Sequence, residues 1–166
     1  MNKPSKKNFT RRRKKVGDLY EIETAKGLAY FQYNLENHEW SSLIRVLQGF
    51  YKSRPSQGCL AELVKKSHRF QQFLALNKAI REKEVSFIET FPVPEFAQKL
   101  PIFKGSNHHK TPTEDKIWYL WNGEKTWCAG KLSFEEQKKY PLRGLCDATA
   151  LKHFIETGMS LRDKLC

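Results

Sequence analysis

The stretch VGDLYEIETAKGLAYFQYNLE, residues 16–36, decides the fold of this chain. From Val16 onward, apolar and polar residues alternate with the period of two that is typical of a half-buried β-strand. A second run of apolar and aromatic residues begins at Gly27, and the TAKG segment between the runs supplies a turn. The stretch therefore predicts a β-hairpin that opens a sheet.

Later segments extend this β-rich pattern. Further strands are expected in residues 40–53 and 85–90. A second hairpin is predicted in IWYLWNGEKTWCAGKL, residues 117–132, where Asn122-Gly123 is the favoured pair for a type I′ turn. Residues 101–116 combine Gly, Pro and charge and predict a loop. Residues 69–77 fit either a strand or the continuation of a helix, and their periodicity does not decide between the two.

Three short helices are predicted from apolar spacing and from capping residues. Leu60, Leu63 and Val64 have the i, i+3, i+4 spacing of an amphipathic helix. The capping residues of two later helices are Ser133 with Glu136, which match a capping box, and Asp147 with Gly158, which match an N-cap and a C-cap. These elements predict an α+β fold: a twisted, mainly antiparallel β-sheet with two or three short helices.

The net charge of +12 is concentrated at the N-terminus. Residues 1–15 contain eight Lys and Arg residues and no acid, so they hold two thirds of the net charge. Such a segment buries too little apolar area to offset its ordering entropy, so we expect a basic, flexible extension before a single domain at 16–166. The extension could be a solvated tail, dock on an acidic protein, or bind the phosphates of nucleic acid. Charge alone does not distinguish these roles.

The sequence predicts neither secretion nor a membrane span. No apolar segment follows the N-terminal cations, and the uninterrupted apolar runs are only a few residues long. A cytoplasmic protein is therefore expected. The four cysteines are widely spaced and lack the paired spacing of a structural zinc site, so we expect ordinary thiols, with no metal and no cofactor.

The search for catalytic residues finds one pair, His108-His109, on the polar loop. Imidazoles titrate near neutral pH and could serve as base and acid in phosphodiester cleavage. Adjacent residues of an extended chain point in opposite directions, however, so this pair does not converge on one substrate atom by itself. We therefore interpret the two as exposed loop histidines, keep a small nuclease as a lesser hypothesis, and predict a protein without enzymatic activity.

Acids and aromatic residues each allow two interpretations. Glu21 and Glu23 lie on the same side of the first strand, about 6.5 to 7 Å apart, a separation that suits paired carboxylates. Solvated acids on an outer strand face are the commoner situation. The aromatic residues Tyr30, Phe31, Tyr33, Trp118 and Trp121 could stack nucleic-acid bases, although core filling is the commoner role of such a set.

Taken in order, these motifs resemble the immunity protein 26 family of bacterial polymorphic-toxin and contact-dependent inhibition systems. The resemblance is carried by VGDLYEIETAKGLAYFQY, FQQFLALNKAIREKEVSFIETFPVPE, PIFKGSN with IWYLWNG, and DATALKHFIETG, and it covers residues 16–158. A Trp is usual in the family where this chain has Val85-Ser86-Phe87, and the RRRKK run is not a family feature. The resemblance implies that residues 69–77 form a strand.

The same resemblance implies a function. Family members have no known common enzymatic activity and are inferred to bind and neutralise a toxin encoded beside them. This chain is therefore expected to bind a cognate toxin by steric occlusion. The candidate partner-binding residues are Glu21, Glu23, Lys104, Asn107, His108, His109, Lys110 and Trp121.

The positive charge raises a difficulty for this expectation. Toxins that cleave nucleic acid usually present a basic groove, which would repel a protein of charge +12. The conflict disappears if the toxin's exposed face is acidic, if the contact lies away from its active site, or if Glu21, Glu23, Glu36 and Glu39 form a local acidic patch. The principal alternative is a nucleic-acid-binding module that uses the basic arm, residues 1–15.

Overall fold

The computed structural model describes residues 12–106 and 115–158. The strands in these residues are β1 (Asp18–Thr24), β2 (Gly27–Asn37), β3 (Ser41–Val46), β4 (Phe70–Leu74), β5 (Ser86–Thr90), β6 (Phe103–Gly105), β7 (Trp118–Trp121), β8 (Thr126–Gly130) and β9 (Leu145–Cys146). The helices are α1 (Gln57–Lys65), α2 (Leu76–Arg81), α3 (Glu95–Gln98), α4 (Phe134–Gln137) and α5 (Ala148–Thr157).

The larger of two sheets has six strands in the order β5-β1-β2-β3-β4-β9. All of its neighbouring strands are antiparallel except β4 and β9, which are parallel. The hairpin predicted from the opening stretch is confirmed as β1 and β2, which pair from Leu19 with Gln32 to Thr24 with Gly27. The predicted α+β class with a mainly antiparallel sheet is therefore confirmed.

Both faces of the larger sheet are buried. Tyr20, Phe31 and Ile44 lie in a core cluster that includes residues of α5. Leu19 and Tyr30 lie in a second cluster, formed with residues of α1. Because successive side chains of a strand point to opposite faces, burial on both faces requires nearly continuous apolar runs such as GLAYF.

A buried polar network ties α1 to this sheet. Arg45 of β3 is 0% exposed and donates to Gln32 Oε1 through Nε at 2.9 Å and Nη2 at 2.8 Å. It also donates to the carbonyls of Val64 and Lys66 at the end of α1. Burial lowers the pKa of Arg45 to about 10. The guanidinium thus supplies hydrogen bonds to carbonyls that the end of the helix leaves without an intrahelical donor.

The second sheet consists of β6, β7 and β8, all antiparallel. It packs on the larger sheet through Phe103 and Trp121, whose rings lie 4.8 Å and 6.3 Å from the ring of Phe73. The prediction of a loop over residues 101–116 was wrong for Phe103–Gly105. A strand of three residues is too short to show a period of two, and the neighbouring Gly and Ser gave a turn signal.

The β7–β8 hairpin is confirmed, but the prediction of its turn type was wrong. The Asn122 amide donates to the Lys125 carbonyl at 3.3 Å, so Gly123 and Glu124 are the central residues of the turn. Only Gly123 has a positive φ, +100°, whereas a type I′ turn needs two such residues. Asn122 Oδ1 instead accepts from the amides of Glu124 and Lys125 at 3.0 Å and 2.9 Å.

The three predicted helices are present as α1, α4 and α5. The Ser133 capping box is formed in both directions, and Asp147 and Gly158 are the N-cap and C-cap of α5. Residues 70–74 form a strand, as the resemblance implied, but residues 76–81 form α2, which was not predicted. Nor was α3; both helices are too short to show a helical period. Within the described residues, no helix is long and apolar enough to cross a membrane.

Three of the last four residues of the basic extension, Arg12, Lys14 and Lys15, contact the domain. Arg12 makes two hydrogen bonds to the Asp18 carboxylate, at 2.6 Å and 2.7 Å, and its guanidinium lies 3.5 Å from the Phe87 ring centroid. Lys14 Nζ donates to Glu36 at 2.8 Å. Residues 12–15 therefore lie against the sheet, and residues 1–11 lie outside the described part of the chain.

Candidate functional site

The two acids that the sequence nominated as partner contacts lie in different environments on β1. Glu23 is exposed. Glu21 forms an ion pair with Arg54 at 2.9 Å, accepts from the Tyr30 hydroxyl at 2.6 Å, and has a side chain only 12% exposed. The hydrogen bond from Arg54 holds the pKa of Glu21 below its usual value of 4.5. The expectation of a solvated acid was therefore wrong for Glu21, because Arg54, thirty-three positions away, covers it.

The acidic patch proposed to resolve the charge conflict is partly paired with cationic side chains of the same chain. Of its four members, Glu21 is paired with Arg54 and Glu36 is paired with Lys14 at 2.8 Å. Glu36 also accepts from the hydroxyls of Tyr33 and Ser42. Half of the patch is thus neutralised within the chain, which leaves it a weak attractor for a basic partner.

Lys104 and Trp121, nominated as partner contacts, are buried. Lys104 is 8% exposed, lies in β6, and donates from Nζ to the Gln137 carbonyl at 2.8 Å. Trp121 is 6% exposed and belongs to the core between the two sheets. The burial of Trp121 is the core-filling role expected as the commoner one for the aromatic residues, and Lys104 is buried because β6 and β7 pair and fold onto β4. The remaining nominated residues, Asn107, His108, His109 and Lys110, lie outside the described residues.

A cavity of about 650 Å³ is formed where both sheets meet α4 and α5. Its walls come from segments that are far apart in the sequence. The lining residues are His68, Arg69, Phe70, Gln71, Pro101, Lys104, Lys116, Trp118, Phe134, Gln137, Lys138, Lys139, Tyr140, Pro141, Leu142, Phe154 and Gly158. A volume of this size falls in the range of sites that bind small molecules.

Incomplete strand pairing opens one wall of the cavity. The short strand β9 pairs with Phe73 and Leu74 of β4 and does not reach Phe70 or Gln71. The edge of β4 at these two residues therefore meets the cavity instead of another described strand. Phe70 is held there by a stacked contact with Phe154 of α5, with ring centroids 4.0 Å apart.

The opposite wall is held by main-chain hydrogen bonds. The Lys104 amide donates to the Pro141 carbonyl at 2.8 Å, and the Arg143 amide donates to the Lys104 carbonyl at 2.7 Å. These bonds fix residues 141–143 beside β6. The capping box at Ser133 sets the start of α4, which carries Phe134 to the same wall. The cavity is thus built on paired and capped elements.

The cavity is strongly basic. Its lining cations are Arg69, Lys104, Lys116, Lys138 and Lys139, and its described lining residues include no Asp or Glu. Lys138 is partly neutralised by Glu135, which lies 2.8 Å away outside the lining. The ammonium groups of Lys104 and Lys116 lie 5.3 Å and 5.9 Å from the Trp118 ring centroid. A concave surface lined by one sign of charge focuses a potential that attracts anions.

Four lining residues also carry buried nitrogens without a hydrogen-bond partner among the described residues. They are His68 Nδ1, Arg69 Nη1, Gln71 Nε2 and Trp118 Nε1. Burial lowers the pKa of both His68 and Arg69, and the nearby charge of Arg45 adds to the effect on His68. Buried polar groups are normally hydrogen-bonded, so this cluster marks unmet hydrogen-bonding capacity around one cavity.

An exposed aromatic residue lies at the cavity. Phe134, the first residue of α4, is 70% exposed, and Lys138 Nζ lies 4.3 Å from its ring centroid. Aromatic residues are enriched at protein interfaces, and an exposed Phe beside a cation offers apolar area and charge to one partner group.

Local sequence patterns did not reveal this site. Trp118 was recognised as part of a hairpin, and Ser133 as a cap, but Arg69, Gln71 and Phe134 carried no functional signal. The site exists because residues 68–71, 116–118 and 134–142 meet in space. The feature that relates to function is that the positions of these segments that line the cavity carry no Asp or Glu. This feature becomes visible only once the fold is known.

The described residues contain no group of three or more His, Cys, Asp or Glu side chains placed to hold a metal ion. Cys59, Cys128 and Cys146 are free thiols. Comparisons with protein-family models, with curated proteins and with solved structures found no match.

Proposed function

We propose that this chain is a cytoplasmic immunity protein that binds a cognate antibacterial toxin and neutralises it by steric occlusion. The observation that carries the proposal is the preformed basic cavity with its exposed Phe134, which has the character of a receptor for an acidic protein surface. The ordered motifs that resemble the immunity protein 26 family support the same function.

The distribution of charge favours an acidic contact face on the toxin. Glu21 and Glu36 are already paired with Arg54 and Lys14, so these two acids offer little to a basic groove. The described residues that line the cavity present cations and no carboxylate. Complementary charge accelerates encounter and excludes wrong partners, and an inhibitor that must act before a toxin does needs fast encounter.

Rigidity supports a binding role in a second way. Cavity walls fixed by strand pairing, by the Lys104–Pro141 hydrogen bond and by the Ser133 capping box lose little entropy when a partner binds. Tight interfaces concentrate their energy in a few Trp, Tyr and Arg residues. Trp118, Tyr140 and Arg69 line this cavity.

The test is co-expression with the product of the adjacent gene. The two proteins should co-purify, bind with nanomolar affinity, and restore growth to cells that the toxin alone would arrest. Phe134→Ala should weaken binding by at least about tenfold, because it removes an exposed anchor. Trp127→Ala is the matched control: Trp127 is 39% exposed on β8 and does not line the cavity, so its loss should leave binding unchanged.

Two results would contradict the proposal. One is an adjacent gene whose product neither binds this chain nor harms cells in its absence. The other is full growth protection by the Phe134→Ala variant together with loss of protection by Trp127→Ala, which would place the interface elsewhere.

The nucleic-acid-binding alternative is less well supported. Two cations of the basic arm, Arg12 and Lys14, are engaged with Asp18 and Glu36, so they are not available for phosphates unless these ion pairs break. The arm's remaining cations lie in residues 1–11 and at Arg13 and Lys15.

A further inference from the structure

The cavity combines three features that favour the binding of an anion. The first is Arg69, a half-buried guanidinium that donates from Nη2 to the Ile155 carbonyl at 2.9 Å and has no carboxylate partner among the described residues. A buried cation without a counter-charge is unfavourable, and an anion beside it removes much of that cost.

The second feature is neutral donor capacity next to this charge. Gln71 is 6% exposed and Trp118 is 3% exposed, and their Nε2 and Nε1 atoms have no partner among the described residues. An indole nitrogen is a donor only, and the terminal torsion of a glutamine amide rotates easily. Both side chains line the cavity, and a rotation of the Gln71 amide can direct its N–H groups toward a ligand.

The third feature is the concentration of ammonium groups around Trp118. Lys104 and Lys116 are 8% and 6% exposed, and both Nζ atoms lie within 6 Å of the indole ring centroid. Charge-assisted hydrogen bonds from such groups are the strong ones, and they select phosphate and carboxylate over neutral ligands.

We infer that Arg69, Gln71 and Trp118, together with the ammonium groups of Lys104 and Lys116, form an oxyanion-binding site inside the cavity. The site binds the phosphate or carboxylate group of a ligand, while the aromatic walls formed by Phe70 and Tyr140 accommodate its apolar part. This goes beyond the proposed function, because the site binds a free oxyanion compound whether or not a toxin is present. A carboxylate on a toxin surface would offer it the same chemistry.

The experiment follows the indole N–H resonance of Trp118 by ¹⁵N–¹H NMR in the full-length protein. The probes are inorganic phosphate, adenosine monophosphate and a tetraglutamate peptide, each titrated at constant ionic strength against sodium chloride. At least one oxyanion probe should shift the Trp118 resonance saturably, whereas chloride should not. Trp127, which is exposed and does not line the cavity, is the internal control, and its resonance should not shift saturably. Tighter binding of a phosphate probe indicates a small-molecule ligand, and tighter binding of the peptide indicates a protein carboxylate.

Substitutions then test the assignment. Arg69→Gln should weaken the best probe at least about tenfold, whereas Lys125→Gln, which removes an equal charge at the hairpin turn away from the cavity, should not. Gln71→Leu provides a second variant of similar volume if Arg69→Gln does not fold, as judged from the dispersion of the spectrum. The inference is overturned if no oxyanion gives a saturable shift, if chloride acts equally, or if folded Arg69→Gln and Gln71→Leu proteins bind as well as the natural chain.

Discussion

At the scale of single residues, the guanidinium of Arg45 is a fully buried charge that requires hydrogen-bond acceptors within the core. Its hydrogen bonds go to Gln32 Oε1 and to main-chain carbonyls, with no carboxylate among the described residues. Gln32 Nε2 in turn donates to the carbonyls of Gly17 and Phe91 at 3.1 Å and 2.8 Å. A glutamine can do this because its amide accepts at one end and donates at the other.

The coupling of Arg45 to Gln32 predicts a non-additive pair of substitutions. Gln32→Leu leaves a buried cation without its side-chain acceptor and should lower the free energy of unfolding by about 3–5 kcal/mol. Arg45→Met leaves only neutral acceptors and should cost about 1–3 kcal/mol. Because one interaction is lost in both variants, the double variant should lose less than the sum of the two. Urea unfolding measures this, and strict additivity would show that the two side chains are not coupled.

Asp18, like Arg45, is a charged residue with 0% exposure, and the basic extension supplies its partner. Burial alone would raise the pKa of Asp18, but hydrogen bonds from Arg12, from the Thr90 hydroxyl and from the Lys15 amide outweigh it and hold the pKa below 3.8. A carboxylate whose pKa is depressed by folding stabilises the folded state above its unfolded pKa. That contribution is lost as the pH falls through the folded pKa.

Arg12→Ala should therefore destabilise the protein in a pH-dependent way. At pH 7 we expect a loss of about 1–3 kcal/mol in the free energy of unfolding, because the Asp18 carboxylate, 0% exposed, loses its charged donor. The loss should shrink as the pH falls below 3.8, where the carboxyl is protonated in the unfolded chain and progressively so in the folded one.

Arg13→Ala is the matched control for this prediction. It removes the same charge at the next position, where Arg13 is exposed and has no contact with Asp18. Denaturant unfolding across pH 3 to 7 should show no difference between this variant and the natural chain beyond about 0.5 kcal/mol. Equal losses in the two variants would mean that net charge, and not the Arg12–Asp18 pair, governs the effect.

At the scale of elements, two glycines with opposite constraints test the local structure. Gly58 lies in α1 with open space around a Cβ atom, whereas Gly27 has φ +116° at the β1–β2 turn and a Cβ there would lie 2.7 Å from the Tyr51 carbonyl oxygen. Gly58→Ala should raise the free energy of unfolding by about 0.5–1 kcal/mol. Gly27→Ala should lower it by about 1–3 kcal/mol. Thermal unfolding of the two variants should give shifts of opposite sign; shifts of the same sign would contradict this assignment.

Elements with a strong local signal were predictable from the sequence. The β1–β2 hairpin combines a partly alternating first run with a nearly continuous apolar second run on either side of the TAKG turn. The cap residues Ser133, Glu136 and Asp147 mark the starts of α4 and α5. These features depend on neighbours within a few residues, so the sequence contains the necessary information. The strand identity of residues 70–74 was left open by periodicity, because the run is buried on both sides and lacks a polar face.

Elements fixed by distant contacts were not predictable. The strand β6 has three residues and exists because it pairs with β7, and Lys104 is buried in it because residues 141–143 cover it. Likewise, the Glu21 carboxylate is shielded from solvent because Arg54, which is distant in the sequence, pairs with it. The cavity combines segments separated by up to ninety positions, so none of its donors stands out in the linear sequence.

At the scale of the whole molecule, two places concentrate cationic side chains. The basic extension holds eight of the Lys and Arg residues, and two of them are used to anchor it on Asp18 and Glu36. The cavity holds five more cations on a surface enclosed by both sheets and two helices. A partner that recognises one need not touch the other, so the two can be tested separately.

Truncation at different points should separate the anchor from the rest of the arm. Deleting residues 1–10 keeps Arg12 and Lys14, so the free energy of unfolding should change by less than about 0.5 kcal/mol. Deleting residues 1–15 removes both ion pairs and the Lys15 amide donor to Asp18, and should cost about 3–5 kcal/mol. Urea unfolding of the two proteins makes the comparison; an equal effect of both deletions would place the stabilising contacts in residues 1–10.

The shorter deletion also distinguishes toxin neutralisation from nucleic-acid binding without disturbing the fold. It removes Lys3, Lys6 and Lys7, which lowers the net charge from +12 to +9. If the arm binds phosphates, a plot of the logarithm of oligonucleotide affinity against the logarithm of salt concentration should become less steep. Its slope should fall by about 2–3, because each phosphate contact contributes about 0.9. We expect instead that the truncated protein protects cells from the toxin as well as the full chain does. The reason is that protection depends on the cavity and on Phe134, which the deletion leaves intact. If the shortened protein binds oligonucleotides weakly and no longer protects cells, the function belongs to the arm.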